Sequence, residues 1–110
     1  MSTTIVTFED FKKMDLRVGE IRSAERVPGT SKLIKISLDI GTEIRTMVSG
    51  IAETYAPEDL VGRKMIVIVN LKPAVIRGIE SQAMLLAAVV DGKAHIPFFA
   101  PEVPTGSPVQ

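Results

Sequence analysis

The 110-residue chain has no cysteine and no tryptophan, and only one histidine and one tyrosine. Without cysteine there are neither disulfides nor thiolate metal sites, and the redox compartment stays open. Covalent catalysis needs an activated nucleophile with a base in hydrogen-bond reach. His95 stands in a strand of the last expected hairpin with no Asp or Glu in its motif, the setting of a structural or solvent-facing histidine. Gly19, Gly29, Gly41 and Gly50 are isolated, so no glycine-rich phosphate loop is present. No group of side chains has metal-ligand spacing. Catalytic residues, metal ligands and cofactors are therefore expected to be absent. The longest apolar run, Ala83 to Val90, is too short to cross a bilayer, and the N-terminus lacks the order of a secretory signal. A cytoplasmic protein with no membrane partner is expected. Thirteen basic and thirteen acidic residues leave no net charge, which disfavours holding nucleic acid by bulk charge.

What is present suits one globular domain, residues 1 to 110, with 45% apolar and 24% charged residues. Residues 1 to 6 have no cap or partner and are expected to be loose. Thr7 with Asp10 resembles a capping box opening a short helix through Lys13, with Phe8 and Phe11 sharing a face that plugs one end of the core. From Met14 the pattern becomes strand, with a parity break at Gly19 that predicts a bulge or bend. Val27-Pro28-Gly29-Thr30 is a turn. Ile34, Ile36, Leu38 and Ile40 alternate with polar residues, and Gly41-Thr42 leads tightly into Glu43 to Ser49. Ala52 to Tyr55 predicts a helical turn ended by Pro57. Two apolar strands follow, Met65 to Leu71 and Met84 to Val90. Asp91-Gly92 marks a last hairpin into Lys93 to Phe99, followed by an extended tail. The expected fold is all-β: a five-stranded OB barrel with a short N-terminal helix, a short helix between strands 3 and 4, and a C-terminal hairpin and tail.

The stretch from Val69 to Met84 is the least generic. Pro73 releases the chain from its strand and Gly78 allows a tight return. Asn70, Lys72, Arg77, Ser81 and Gln82 all carry side-chain donors. Between Val61 and Met84, Arg63, Lys64, Lys72 and Arg77 face the single acid Glu80, a local basic excess on a neutral chain.

Asn70-Leu71-Lys72-Pro73, Arg77-Gly78 and Ser81-Gln82-Ala83-Met84-Leu85-Leu86-Ala87 together resemble the tRNA-binding domain family. So do Asp15-Leu16-Arg17-Val18-Gly19, Ser31-Lys32-Leu33, Val48-Ser49-Gly50-Ile51-Ala52 and the run from Tyr55 to Gly62. Members occur as free-standing dimers, as the C-terminal extension or small subunit of methionyl-tRNA synthetases, in eukaryotic synthetase cofactors, and as a secretion-chaperone homologue. The resemblance implies an OB-fold protein that recognises the folded shape of tRNA without catalysis. It implies Lys32, Lys72 and Arg77 on phosphates, Asn70 and Ser81 donating to sugar or phosphate, and Met84 against a base or the tRNA elbow, with a packed core methionine as the other reading of Met84. It implies a homodimer built with the N-terminal helix and the C-terminal segment, and a methionyl-tRNA synthetase catalytic chain as a further partner. Dimerisation is also expected because residues 65–71 and 83–90 are apolar on both faces and the tail carries Ile96, Phe98, Phe99 and Val103. The chain departs from the family at Val27, where His often precedes the proline, and at Ala74 and Val75, where cations are common. Those departures keep a peptide- or partner-binding module of the same fold as the alternative.

Overall fold

A computed structural model describes residues 4–110. The expectation of looseness at residues 1 to 3 lies outside the described residues, while residues 4 to 6 are exposed. Thr7 caps helix α1 (Phe8–Lys12), its hydroxyl accepting from Asp10 N–H at 3.1 Å. Phe8 and Phe11 do not plug the core. Both lie on the outside, Phe8 68% exposed, because the five-residue helix stands off the sheet with no buried residue.

The sheet is built from β1 (Leu16–Arg26), β2 (Ile34–Asp39), β3 (Ile44–Ser49) and β4 (Lys64–Ile68). Four further short strands, β5 (Ala74–Ile76), β6 (Ile79–Ser81), β7 (Met84–Leu85) and β8 (Ala88–Val90), precede β9 (Lys93–His95) and β10 (Phe98–Phe99). The order is β10-β4-β1-β2-β3, with β7 also beside β4, all antiparallel. β5–β6 and β8–β9 are separate two-stranded hairpins. This all-β, curled half-barrel is OB-like. The expected helix between strands 3 and 4 is reduced to a turn at residues 51–55 and a 3-10 helix, Pro57–Asp59. Pro57 opens that helix instead of ending one, since its fixed φ and missing N–H suit a first turn.

The alternation of β2 is realised in full: Ile34, Ile36 and Leu38 are completely buried. They pack with Met47, Ile51, Leu60, Met65 and Val67 as the centre of the core. The bulge lies at Arg22, between Ile21 and Ser23, and not at Gly19. Gly19 sits in regular register opposite Met65, where an added Cβ would lie 2.9 Å from Leu38 and 3.0 Å from Val67. Glycine is required there by close packing, not by a bend.

The tail finds its cover within the chain. Val18 N–H donates to Ser107 (2.9 Å), Gly106 N–H to Val18 (2.8 Å) and Val109 N–H to Leu16 (2.9 Å), so residues 106–109 extend beside β1. The Lys64 ammonium donates to the carbonyls of Pro101 (2.7 Å) and Val103 (2.6 Å). Ile96 is buried and Phe98, Phe99 and Val103 are half-buried. The expected strand from 83 to 90 breaks in two, and Val89 at its end is 71% exposed. Apolar side chains left uncovered include, besides Val75, Val89 and Val90, a run at the N-terminus: Ile5, Val6, Phe8 and Met14. Phe8, Phe11, Met14, Leu16, Pro108 and Val109 line a groove of about 420 Å³ there.

Candidate nucleic-acid interface

At the end of β4 the pairing with β1 runs on one step, Val69 N–H donating to Asp15 O at 3.0 Å, before the chain leaves the sheet. Asn70 completes this junction with both ends of its amide. Its Oδ1 accepts from Asp15 N–H (2.8 Å) and its Nδ2 donates to Lys13 O (2.6 Å). After Pro73 the connector folds into the β5–β6 hairpin. Arg77 (φ 53°) and Gly78 (φ 78°) form its two-residue turn. Two consecutive left-handed residues match the twist of a tight hairpin. At the tip, Arg77 Nη2 donates to Gly29 O at 2.6 Å, tying the hairpin to the turn after β1.

The hairpin closes the open side of the half-barrel, and it does so largely through side chains. Gln82 N–H donates to Thr46 O (2.8 Å), while Thr46 N–H donates back to the Gln82 Oε1 (3.0 Å). Val48 N–H donates to Ser81 Oγ at 3.0 Å, and Ser81 is 7% exposed. A side-chain carbonyl and a hydroxyl thus stand where a ladder would need backbone acceptors. Arg45 adds a clasp: its Nη1 donates to the carbonyls of Val69 and Gln82.

The expected site residues divide into three groups. Lys72 is exposed, with no ion pair among the described residues. It lies in an open bowl of about 520 Å³ with Glu43, Arg45, Asn70, Pro73 and Gln82. Arg77 stands at the other end of the hairpin, on Gly29, and Lys32, three residues on from Gly29, is paired with Glu53 at 3.6 Å. Lys72 and Arg77 are separated by roughly 16 Å of extended chain, five strand steps. Asn70 and Ser81 belong to the scaffold, since their polar atoms already serve the α1–β1 junction and the seam. Met84, opposite Ile68 in β7, is 44% exposed and not a packed core residue. Ala74 and Val75, the two departures, face solvent between the cationic ends, Val75 being 72% exposed.

The basic cluster read from 61 to 84 is split. Arg63 and Lys64 stand at the start of β4, away from the connector, with Arg63 over the Phe98 ring at 3.7 Å and Lys64 holding the tail. Arg45 and Glu43 were not evident as site residues. Only their i, i+2 spacing at the start of β3, Glu43 standing just before it, signals them. The shifted carboxyl group is elsewhere, on the sheet. The Arg22 guanidinium (2.6 Å) and Gly41 N–H (2.8 Å) hold Asp39 below the usual carboxylate range.

A family model described as "Putative tRNA binding domain" matches residues 16–108. A methionine–tRNA ligase of Methanocorpusculum labreanum is 50% identical over 109 residues, 99% of this chain and 16% of the ligase. That of Thermotoga maritima is 54% identical over 83 residues, 76% of this chain and 13% of the ligase. The chain thus spans about a sixth of the length of such relatives. Among solved structures, the MetRS-related protein from Pyrococcus horikoshii has a TM-score of 0.93 at 41% identity, over 98% of this chain and 100% of that one. The chaperone CsaA from Bacillus anthracis has a TM-score of 0.88 at 29% identity, over 97% and 100%.

Proposed function

Since this chain belongs to the tRNA-binding domain family, we propose that it binds folded tRNA without catalysis, along the face that runs from the Lys72 bowl to the Arg77 tip. The observation that carries the reading is the family match across the connector, together with an exposed Lys72 at one end of the hairpin and Arg77 at its tip, while Ser81 and Gln82 build the seam. Lys32, Lys72 and Arg77 neutralise phosphates and Met84 meets a base or the elbow of the tRNA. Asn70 and Ser81 act by holding the connector in place. The relatives' names support a setting with methionyl-tRNA synthetase, as a domain or an accessory subunit, and the full-length match to a MetRS-related protein supports a free-standing form. A cytoplasmic location fits either setting, and no helix among the described residues is long and apolar enough to cross a membrane.

The test is a gel shift with folded tRNA, heat-unfolded tRNA and a model unfolded polypeptide. Binding to folded tRNA above the unfolded form is expected. Binding to the polypeptide alone would favour the second reading, a chaperone-like module, which the likeness to CsaA and the neutral pair Ala74-Val75 support.

A homodimer is part of the proposal. Its support is the exposed apolar N-terminal surface beside the α1–tail groove, not the tail itself. Phe8→Asp should produce a monomer in sedimentation, with the melting curve of the barrel retained. A monomeric parent protein would end the dimer proposal.

A further inference from the structure

Arg45 is held from behind by two backbone carbonyls, where Arg77 is tied by one, that of Gly29. Its Nη1 donates to the Val69 and Gln82 carbonyls, which hold the plane still. Its other edge, Nε and Nη2, points into the bowl, and both nitrogens donate to one oxygen of Glu43, at 3.3 Å and 3.0 Å. Two N–H groups presented side by side by a rigid guanidinium are the geometry that takes a phosphate in a bidentate contact.

Resting on the tRNA-binding reading above, we propose that Arg45 is a phosphate-binding residue whose fork is filled in the free protein by Glu43, so that Glu43 sets the affinity of this face for RNA. Glu43 is placed to be displaced. Its side chain is 55% exposed against 24% for Arg45, and an exposed ion pair is weak and screened by salt. A phosphate entering the bowl meets Arg45 and the exposed Lys72 together, whereas the Glu43 carboxylate is paired with Arg45. When the phosphate arrives, the carboxylate turns to solvent and gathers a counter-ion of its own. Lys32 with Glu53 repeats the arrangement less tightly at the far end, at 3.6 Å. Half of the four cations on this face, Lys32, Arg45, Lys72 and Arg77, are therefore masked by acids. A face of this kind rejects isolated anions and engages a ligand that offers several phosphates at once, in fixed spacing.

The experiment is a titration of folded tRNA against the full chain over a series of salt concentrations, with Glu43→Gln as the principal variant. Gln keeps the size of Glu and removes its charge. Binding at low salt should tighten roughly three- to fivefold, and the slope of log affinity against log salt should steepen by about 0.7 to 0.9. Glu102→Gln, beside the Lys64 end, makes the same change in net charge and should change neither. Combining Glu43→Gln with Arg45→Lys keeps the charge but removes the fork, and most of the gain should vanish; melting curves check that the clasp survives. Equal binding by the parent and Glu43→Gln would overturn the inference and leave the tRNA reading standing. Binding by neither would overturn both. Binding by Glu43→Gln alone would mean that the mask is complete and would uphold the inference.

Discussion

Two hairpins of this chain have nearly the same plan and opposite uses. Ala74-Val75-Ile76-Arg77-Gly78-Ile79-Glu80-Ser81 and Ala88-Val89-Val90-Asp91-Gly92-Lys93-Ala94-His95 are each two three-residue strands around a two-residue turn. Both turns are left-handed twice over, at φ 53° and 78° in the first and 51° and 76° in the second. Their registers superimpose, with Ala74 opposite Ser81 and Ala88 opposite His95. The first is anchored at both ends, by Ser81 under Val48 N–H and by Arg77 on Gly29. The second is anchored after its last strand, where Ile96 N–H donates to the Tyr55 hydroxyl at 2.9 Å. Local sequence specifies the turn in both. What the last residue of the second strand can donate or accept decides whether the hairpin becomes part of the barrel.

The largest expected effect breaks that anchor. Ser81→Ala removes the acceptor of the buried Val48 N–H, which should cost about 1–3 kcal/mol in chemical denaturation. His95→Ala, at the matching and exposed position, should stay within ~0.5 kcal/mol. Equal losses at the two sites would show that the seam does not depend on the hydroxyl.

Next come the turns. Gly78 and Gly92 both have positive φ with open space around the missing Cβ, so only backbone strain separates them from alanine. Gly78→Ala and Gly92→Ala should each cost roughly 1 kcal/mol. Only Gly78→Ala should also weaken tRNA binding, because only the first tip carries the cation of the proposed face. A parallel loss of affinity in Gly92→Ala would make the second hairpin part of that face.

The common plan explains how much could be read from sequence. Asp91-Gly92, Gly41-Thr42 and the alternation from Ile34 to Leu38 are local signals, and each gave the observed element. The seam was not legible, because Gln82 and Ser81 close it from 33 to 36 residues away and their type alone does not distinguish a seam from a ligand contact. The same ambiguity applies to Asn70, whose type suits an RNA contact while both ends of its amide hold the segment before β1. Gly19 was misjudged for a related reason: a parity break in sequence marks a bulge without locating it, and the bulge falls three residues later, at Arg22. The tail looked too apolar for one barrel to cover, yet Lys64 and β1 fix it within the chain. Conversely, Phe8 and Phe11 were assigned to the core from helix spacing, which tells which side chains share a face but not what that face meets.

Adding charge sharpens the comparison further. Ala74→Arg with Val75→Lys places two cations between the bowl and the tip, at exposed positions whose replacement should hardly change stability. Binding to folded tRNA should tighten and the salt slope should steepen by up to about 1.8, two phosphate contacts at most. The same pair at Ala88 and Val89 should leave the slope nearly unchanged.

The smallest effect is the most discriminating. Lys72→Ala removes an exposed cation with no ion pair among the described residues, so its loss is chiefly one of charge. It should weaken binding to unrelated tRNAs to the same extent, since a phosphate contact carries no base information. The salt slope should fall by about 0.7 to 0.9. Arg77→Ala should do the same to the slope while also releasing the tip from Gly29, so melting curves must accompany it. Lys93, next to the turn of the second hairpin, is exposed as well, and Lys93→Ala alters net charge by the same amount. If bulk charge governs binding, the three variants will have equal slopes. If the first hairpin is the interface, Lys93→Ala will retain the parent slope and the other two will share the lower one. Should Lys93→Ala lose as much as Lys72→Ala, the first hairpin is not a distinct interface and the likeness of the two hairpins extends to their function.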